Sequence, residues 1–227
     1  MSRILVYCGF HHAPELALPE LGVNAAPVQV ASFDNLSLLW SEVEWPFGPE
    51  RMQKSAVEFH EVVHRVFRQT AVIPFRLLSV FEHQQAFAAF AAENRERFLK
   101  DLERLKDVVQ MECVIYPAPS KSQVDRSSGK AYLQQKAVAL RSSEGFAQAV
   151  QDALVDLSRE VRVREGKNGT RIFALMERGR ENDFRRTVNT VPVPSHLSRR
   201  MSGPWPVAEF LSEQVKMPQT DEATGAK

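Results

Sequence analysis

Residues 59–67 read FHEVVHRVF and hold His60, Glu61 and His64 in the spacing H-E-x-x-H. On a helix, positions i and i+4 share a face, so two imidazoles so spaced can aim at one metal ion. Glu61 would then act as general base on a zinc-bound water, and a third protein ligand would complete an open tetrahedral site. The chemistry would be metal-assisted hydrolysis.

The element that must position these groups is legible. Met52, Ala56, Phe59, Val63 and Val66 recur at three and four residues and predict an amphipathic helix over about 50–69. With Phe59 at the centre of the apolar face and ~100° per residue, His60 falls on its flank and His64 further out. Glu61 points toward solvent. The spacing H-x-x-G-x-x-H does not continue, because Phe67 and Thr70 occupy those positions. Glu82 and Glu93 are the candidate third ligands, but Pro74 and a strand intervene, and a charged Arg65 follows the second His. We read the motif as a helix with one half-buried and one exposed His. A zinc metallohydrolase using His60, Glu61 and His64 is the alternative.

Other constellations are thinner. GKNGT lacks the spacing of a phosphate-binding loop, and no G-x-S-x-G elbow occurs. His11 and His12 sit in a proline-rich stretch and read as a solvated pair. RIFALMER offers one aromatic, Phe173, without the paired rings of an RNA-binding strand. No catalytic residues, cofactor or metal are therefore expected.

Composition narrows the class. The chain has 227 residues, 44% of them hydrophobic, enough for one large or two small domains. Lys+Arg is 29 against Asp+Glu 28, so a non-specific nucleic-acid partner is not expected. The basic clusters Arg178, Arg180, Arg185, Arg186 and Arg199, Arg200 read as solvated helix surface. Cys8 and Cys113 lie in apolar runs and read as buried strand thiols of a reducing compartment. No secretory leader and no apolar run of ~20 residues is seen, so a cytoplasmic protein with no membrane partner is expected.

Along the chain, 4–10, 28–33 and 36–43 read as strands, and a helix over about 82–108 shows a face of Phe87, Phe90, Phe98, Leu102, Leu105 and Val109. AVIPFRLL (71–78) interrupts the two helices, since Pro74 cannot sit in a helix interior. A strand at 111–117 is followed by a polar loop at 120–129, a helix from Ala131 to about Arg159, and a hairpin at 161–177 turning at GKNG. A short helix at 180–188 and a last strand at 196–203 complete the order. That order, β-α-β-β-α-β, predicts a ferredoxin-like sheet. The fold class is α+β. Residues 213–227 lack an apolar face and read as a disordered tail.

Six segments in order then resemble one family. LSLLWSEVEWP, AVEFHEVVHRV, AVIPFRLLSVF, MECVIYP, SSGKAYLQQK and SGPWPVAEF are similar to successive motifs of the gas vesicle protein F/L family (GvpF/GvpL). The family's helix commonly carries a His at the place of His60 without a metal role. Departures mark a divergent member: FRLLSVF stands for the family's RFGTVF, with Leu77–Leu78 replacing a Phe-Gly step. Val207, Ala208 and Glu209 replace the aromatic end of its PWPPYSF, and the first strand ends in CGFHH.

The resemblance implies two α+β domains, 1–109 and 110–212, the second a modified ferredoxin-like sheet with long helices, and a non-enzymatic accessory or minor structural protein of gas vesicles. Its implied partners are the small hydrophobic shell protein and other gas vesicle accessory proteins. A shell subunit before assembly has strand edges and apolar faces that need cover. Gly203, Pro204, Trp205 and Pro206 are the candidate contact; the competing reading packs Trp205 under the sheet as a lock.

Overall fold

The structure is a computed structural model and describes residues 1–118, 143–166 and 169–212. The expected polar loop, the helix start at 131–142, the centre of the GKNG turn and the tail lie outside the described residues. The fold is mixed α+β, with two antiparallel sheets and, among the described residues, four α-helices. The described residues divide into two compact units, one of Met1–Asp107 with 206–212 and one within Val108–Trp205.

In the first unit, β1 (Ser2–His11) lies at the middle of the sheet because 4–10 is apolar throughout and buried along its length. It pairs antiparallel with β3 (Leu36–Glu44), and β3 pairs with β2 (Val28–Phe33). Asp34, at φ 53°, turns that hairpin in a left-handed conformation that Asp tolerates. The interrupting segment supplies two short strands, β4 (Ile73–Pro74) and β5 (Val80–Phe81), both on β1.

Helix α1 (Pro49–Phe67) starts with Pro at its first turn, where the missing N–H costs nothing. Helix α2 (Gln84–Arg104) starts at His83, whose Nδ1 accepts from the Ala86 N–H at 3.1 Å. It ends earlier than the periodicity predicts. Asp107 adopts φ 57°, and β6 (Val108–Pro117) begins directly after it. Val109 is thus a buried strand residue rather than part of the helix face. Its spacing from Leu102 and Leu105 is helical by coincidence, since strand and helix periods agree over so few positions.

The core between α2 and the sheet is aromatic. Phe75, Phe81, Phe87, Phe90 and Phe98 form a chain of ring contacts at 5.1–6.0 Å, and Trp40 and Phe33 join it through Phe87.

The segment from Pro206, expected in the second domain, packs with the first unit. Val207 and Phe210 are buried, and the carboxylate of Asp101 accepts from the backbone N–H and the hydroxyl of Ser212. Arg104 spans Asp101 and the Phe210 carbonyl. A buried carboxylate needs these donors, which ties the segment down.

The second unit runs β6, a helix α3 at 143–154, β7 (Glu160–Gly166), β8 (Gly169–Glu177), α4 (Glu181–Thr190) and β9 (Leu197–Trp205). The sheet order is β7-β8-β6-β9, antiparallel throughout. Helix α3 stops short of the expected 159: Arg159 already donates to the Leu175 carbonyl at 2.7 Å, leading the chain into β7.

Candidate functional site

Helix α1 carries the H-E-x-x-H residues, and it turns their burial around. His64 is half-buried and His60 exposed, the reverse of the expectation. The buried face consists of Ser55, Phe59, Val62, Val63, Val66 and Phe67, while 49–54 are exposed on every side. Cover therefore begins more than a turn into the helix. The end near Phe67, whose ring lies 5.7 Å from that of His64, is the covered one. Met52, placed on the apolar face by periodicity, is exposed for the same reason.

The two imidazole rings stand 5.3 Å apart. Glu61 faces solvent, and Glu82 is engaged with Arg3 at 2.9 Å. Among the described residues no group of three His, Cys, Asp or Glu side chains is placed to hold a metal ion. Among the described residues, no third ligand stands beside His60 and His64. His11 and His12 have neighbours within the fold. His11 closes β1 against Leu36, and His12 Nδ1 lies 3.0 Å from the Ser37 hydroxyl, so the pair is not simply solvated.

Both cysteines are buried in central strands, one per unit. Burial raises the Cys8 thiol pKa strongly and pushes Cys113 up to about 11, with Arg199 opposing the shift and Glu112 adding to it. A folded thiol that holds its proton above the ordinary 9.0 stabilises the fold below that pH. This stabilisation is lost as pH rises through about 11. The urea midpoint is accordingly expected to fall between these values, and Cys113→Ala to lessen the fall. An identical pH profile for the variant would remove the thiol as cause.

The arginine clusters divide. Arg178, Arg180 and Arg186 are exposed as expected, with the latter two beside Asp183 on α4. Arg185 and Arg199 instead hold backbone. Arg185 donates to the Gly203 carbonyl at 2.9 Å, and Arg199 to those of Val188 and Val191 at 2.6 and 2.8 Å. The last carbonyls of a helix have no partner within it, and a guanidinium fork satisfies two at once.

The Gly203-Pro204-Trp205-Pro206 segment lies where β9 leaves regular pairing. Ser202 pairs with Glu112 and Trp205 with Gln110, so Gly203 and Pro204 are both accommodated opposite Met111. Trp205 is half-buried, and its indole N–H donates to the Ser202 hydroxyl at 3.1 Å, which in turn donates to Glu112 at 3.1 Å. The chain passes from the second unit to the first at Pro206. Spacing alone could not reveal that Gly203 sits in a bulge; glycine before proline near a strand end was the available signal.

Residues 3–212 match the family described as gas vesicle synthesis protein GvpL/GvpF. The chain belongs to this family. Its fold is similar to the crystal structure of the gas vesicle protein GvpF from Anabaena sp. PCC7120, with TM-score 0.73 and 16% identity, covering 97% of this chain and 100% of that one. GvpF from Microcystis aeruginosa is similar at TM-score 0.69 and 16% identity, over 88% of this chain and 94% of that one. No curated protein sequence matches. Membership gives the chain a gas vesicle-related role, and nothing in the family match favours the zinc hydrolase.

Proposed function

We propose that this chain is a non-enzymatic accessory or minor structural protein of gas vesicles. In this reading it binds the small hydrophobic shell protein, works with other accessory proteins, and resides in the cytoplasm and at the gas vesicle. The observation that carries it is a family match that spans nearly the whole chain. The second unit is, in the same reading, a modified ferredoxin-like domain; its strand order β7-β8-β6-β9 and its helix placement support this.

The physical basis is strand capture. Among the described residues, β2 and β7 border their sheets, and apart from Val28, whose N–H donates to the Glu20 carbonyl at 2.9 Å, the ladder of β2 runs to β3 alone. Val30 of β2 keeps 42% of its surface exposed. An unpaired row of N–H and C=O groups can accept a strand from an aggregation-prone subunit and cover it. Gly203, Pro204, Trp205 and Pro206 are the second candidate contact.

The test is co-expression of the tagged chain with the shell subunit of the same source. The subunit is expected to co-purify, and Val30→Lys to reduce its recovery without changing the thermal melt. Trp205→Ala separates the two readings of that residue: retained folding with lost recovery makes it a contact, and lost folding makes it a lock. A folded wild-type chain that fails to retain a soluble subunit would overturn shell binding.

A further inference from the structure

The outer flank of β2 presents a short, defined set of backbone groups. The Val28 N–H turns away from β3 and donates to the Glu20 carbonyl at 2.9 Å. Strand backbone alternates, so the N–H and C=O of Val30 and Ser32 also point away from β3. The hairpin agrees. Phe33 pairs with Leu36 across the Asp34–Asn35 turn, and such a closing pair faces inward, which leaves its neighbour Ser32 facing outward. The chain before Glu20 does not follow this edge, because the Gln69 amide accepts from the Ala17 N–H at 2.9 Å and donates to the Ala17 carbonyl at 3.0 Å. Among the described residues, the flank beyond Val28 is therefore open, and Val30 and Ser32 are exposed on it.

The sequence does not guard this edge. Native edge strands commonly carry charges, proline or a bulge that discourages pairing. Val28–Phe33 reads VQVASF, with no charge and no proline, and its register with β3 runs without a shift. The edge is also complementary to itself. About a two-fold axis perpendicular to the sheet, each face of one copy continues into the same face of the other, so residues that meet must alternate alike. Val30 set against Val30 brings Ser32 of the second copy opposite Val28, whose N–H is already held by Glu20. Ser32 set against Ser32 brings Asp34 of the second copy, which turns the hairpin at φ 53°, opposite Val30 and breaks the ladder there. Ala31 set against Ala31 brings Val30 opposite Ser32 on both sides of the axis. The outward N–H and C=O of these residues are then satisfied together. Gln29 meets Phe33, the last residue of β2, so the ladder ends before the flank that Glu20 occupies.

We propose that β2 is a homodimerisation edge, on which β2 of a second copy of this chain pairs antiparallel with Ala31 at the two-fold axis. The register opposes no like charges within the strand and joins the two sheets into one. A strand of the shell subunit would compete with the second copy for the same edge, but dimerisation does not depend on the shell-binding reading.

The test is sedimentation of the purified full chain over an about hundredfold range of concentration, together with oxidative cross-linking of two cysteine variants. The mass is expected to rise from one chain toward two. Ser32→Pro removes an outward N–H and spares the ladder to β3, so it should weaken dimerisation about tenfold and leave the thermal melt unchanged. Ala31→Cys sets two thiols at a non-hydrogen-bonded pair, whose Cα atoms lie about 4.5 Å apart, within disulfide reach. Gln29→Cys sets them about 14 Å apart. The native Cys8 and Cys113 are buried and do not interfere. A disulfide-linked dimer is expected for Ala31→Cys and not for Gln29→Cys. A chain that stays monomeric throughout, a dimer indifferent to Ser32→Pro, or equal cross-linking of the two cysteine variants would overturn the proposal. Since these measurements use the chain alone, such a result would leave shell binding to its own co-purification test.

Discussion

Replacing Phe98 with alanine is expected to lower the free energy of unfolding by about 3–5 kcal/mol. The ring is 1% exposed and lies on the α2 face that meets the sheet. It contacts Phe75 edge-on at 5.9 Å and Phe90 at 6.0 Å, and the Arg97 guanidinium stacks over it at 5.0 Å. Truncation removes the burial of a whole ring and leaves a cavity whose other walls are stiff aromatic groups. Such walls collapse poorly, which puts the cost toward the upper end of the range. Phe98→Leu keeps most of the volume and should cost markedly less. Urea unfolding followed by circular dichroism measures both. A loss below about 1 kcal/mol for the alanine variant would mean that the aromatic chain is not what holds α2 to the sheet.

Gly203→Ala is expected to cost about 3 kcal/mol, although it adds one methyl group near the surface. Gly203 sits at φ 113°, outside the region open to L-residues. A Cβ there would come within 2.9 Å of the Gln110 carbonyl oxygen and 2.8 Å of the Met111 sulfur. The sulfur can swing aside, but the carbonyl belongs to the β6 backbone and cannot. The variant must therefore give up the bulge, and with it the pairing of Trp205 opposite Gln110 and the Arg185 bond to the Gly203 carbonyl. The expected readout is a lower urea midpoint together with a change in Trp205 fluorescence. A variant of wild-type stability would show that the bulge is not needed to bring β9 back into register.

This second case shows where sequence reasoning stopped. Gly203-Pro204-Trp205-Pro206 stood out because glycine and proline punctuate a strand and tryptophan is conspicuous beside them. The reason for the glycine is a β6 carbonyl more than ninety residues away in the chain. No local pattern carries that information.

The same distinction runs through the rest of the molecule. By itself, the sequence determined the α+β alternation, the long helices, a strand over 4–10 and the order of elements after residue 111. Each follows from hydrophobic period and turn chemistry, which are local properties. It also determined the family resemblance, since six segments in order need no coordinates to be seen. Tertiary structure decided what depends on partners in space. It decided which end of α1 is covered, and so which histidine is half-buried. It decided that Val109 belongs to a strand, because a left-handed residue at Asp107 ends the helical path. It decided that Arg199 caps a helix while its neighbour Arg200 points to the other face. Adjacent strand residues point to opposite faces, and register alone chooses which distant residues they meet.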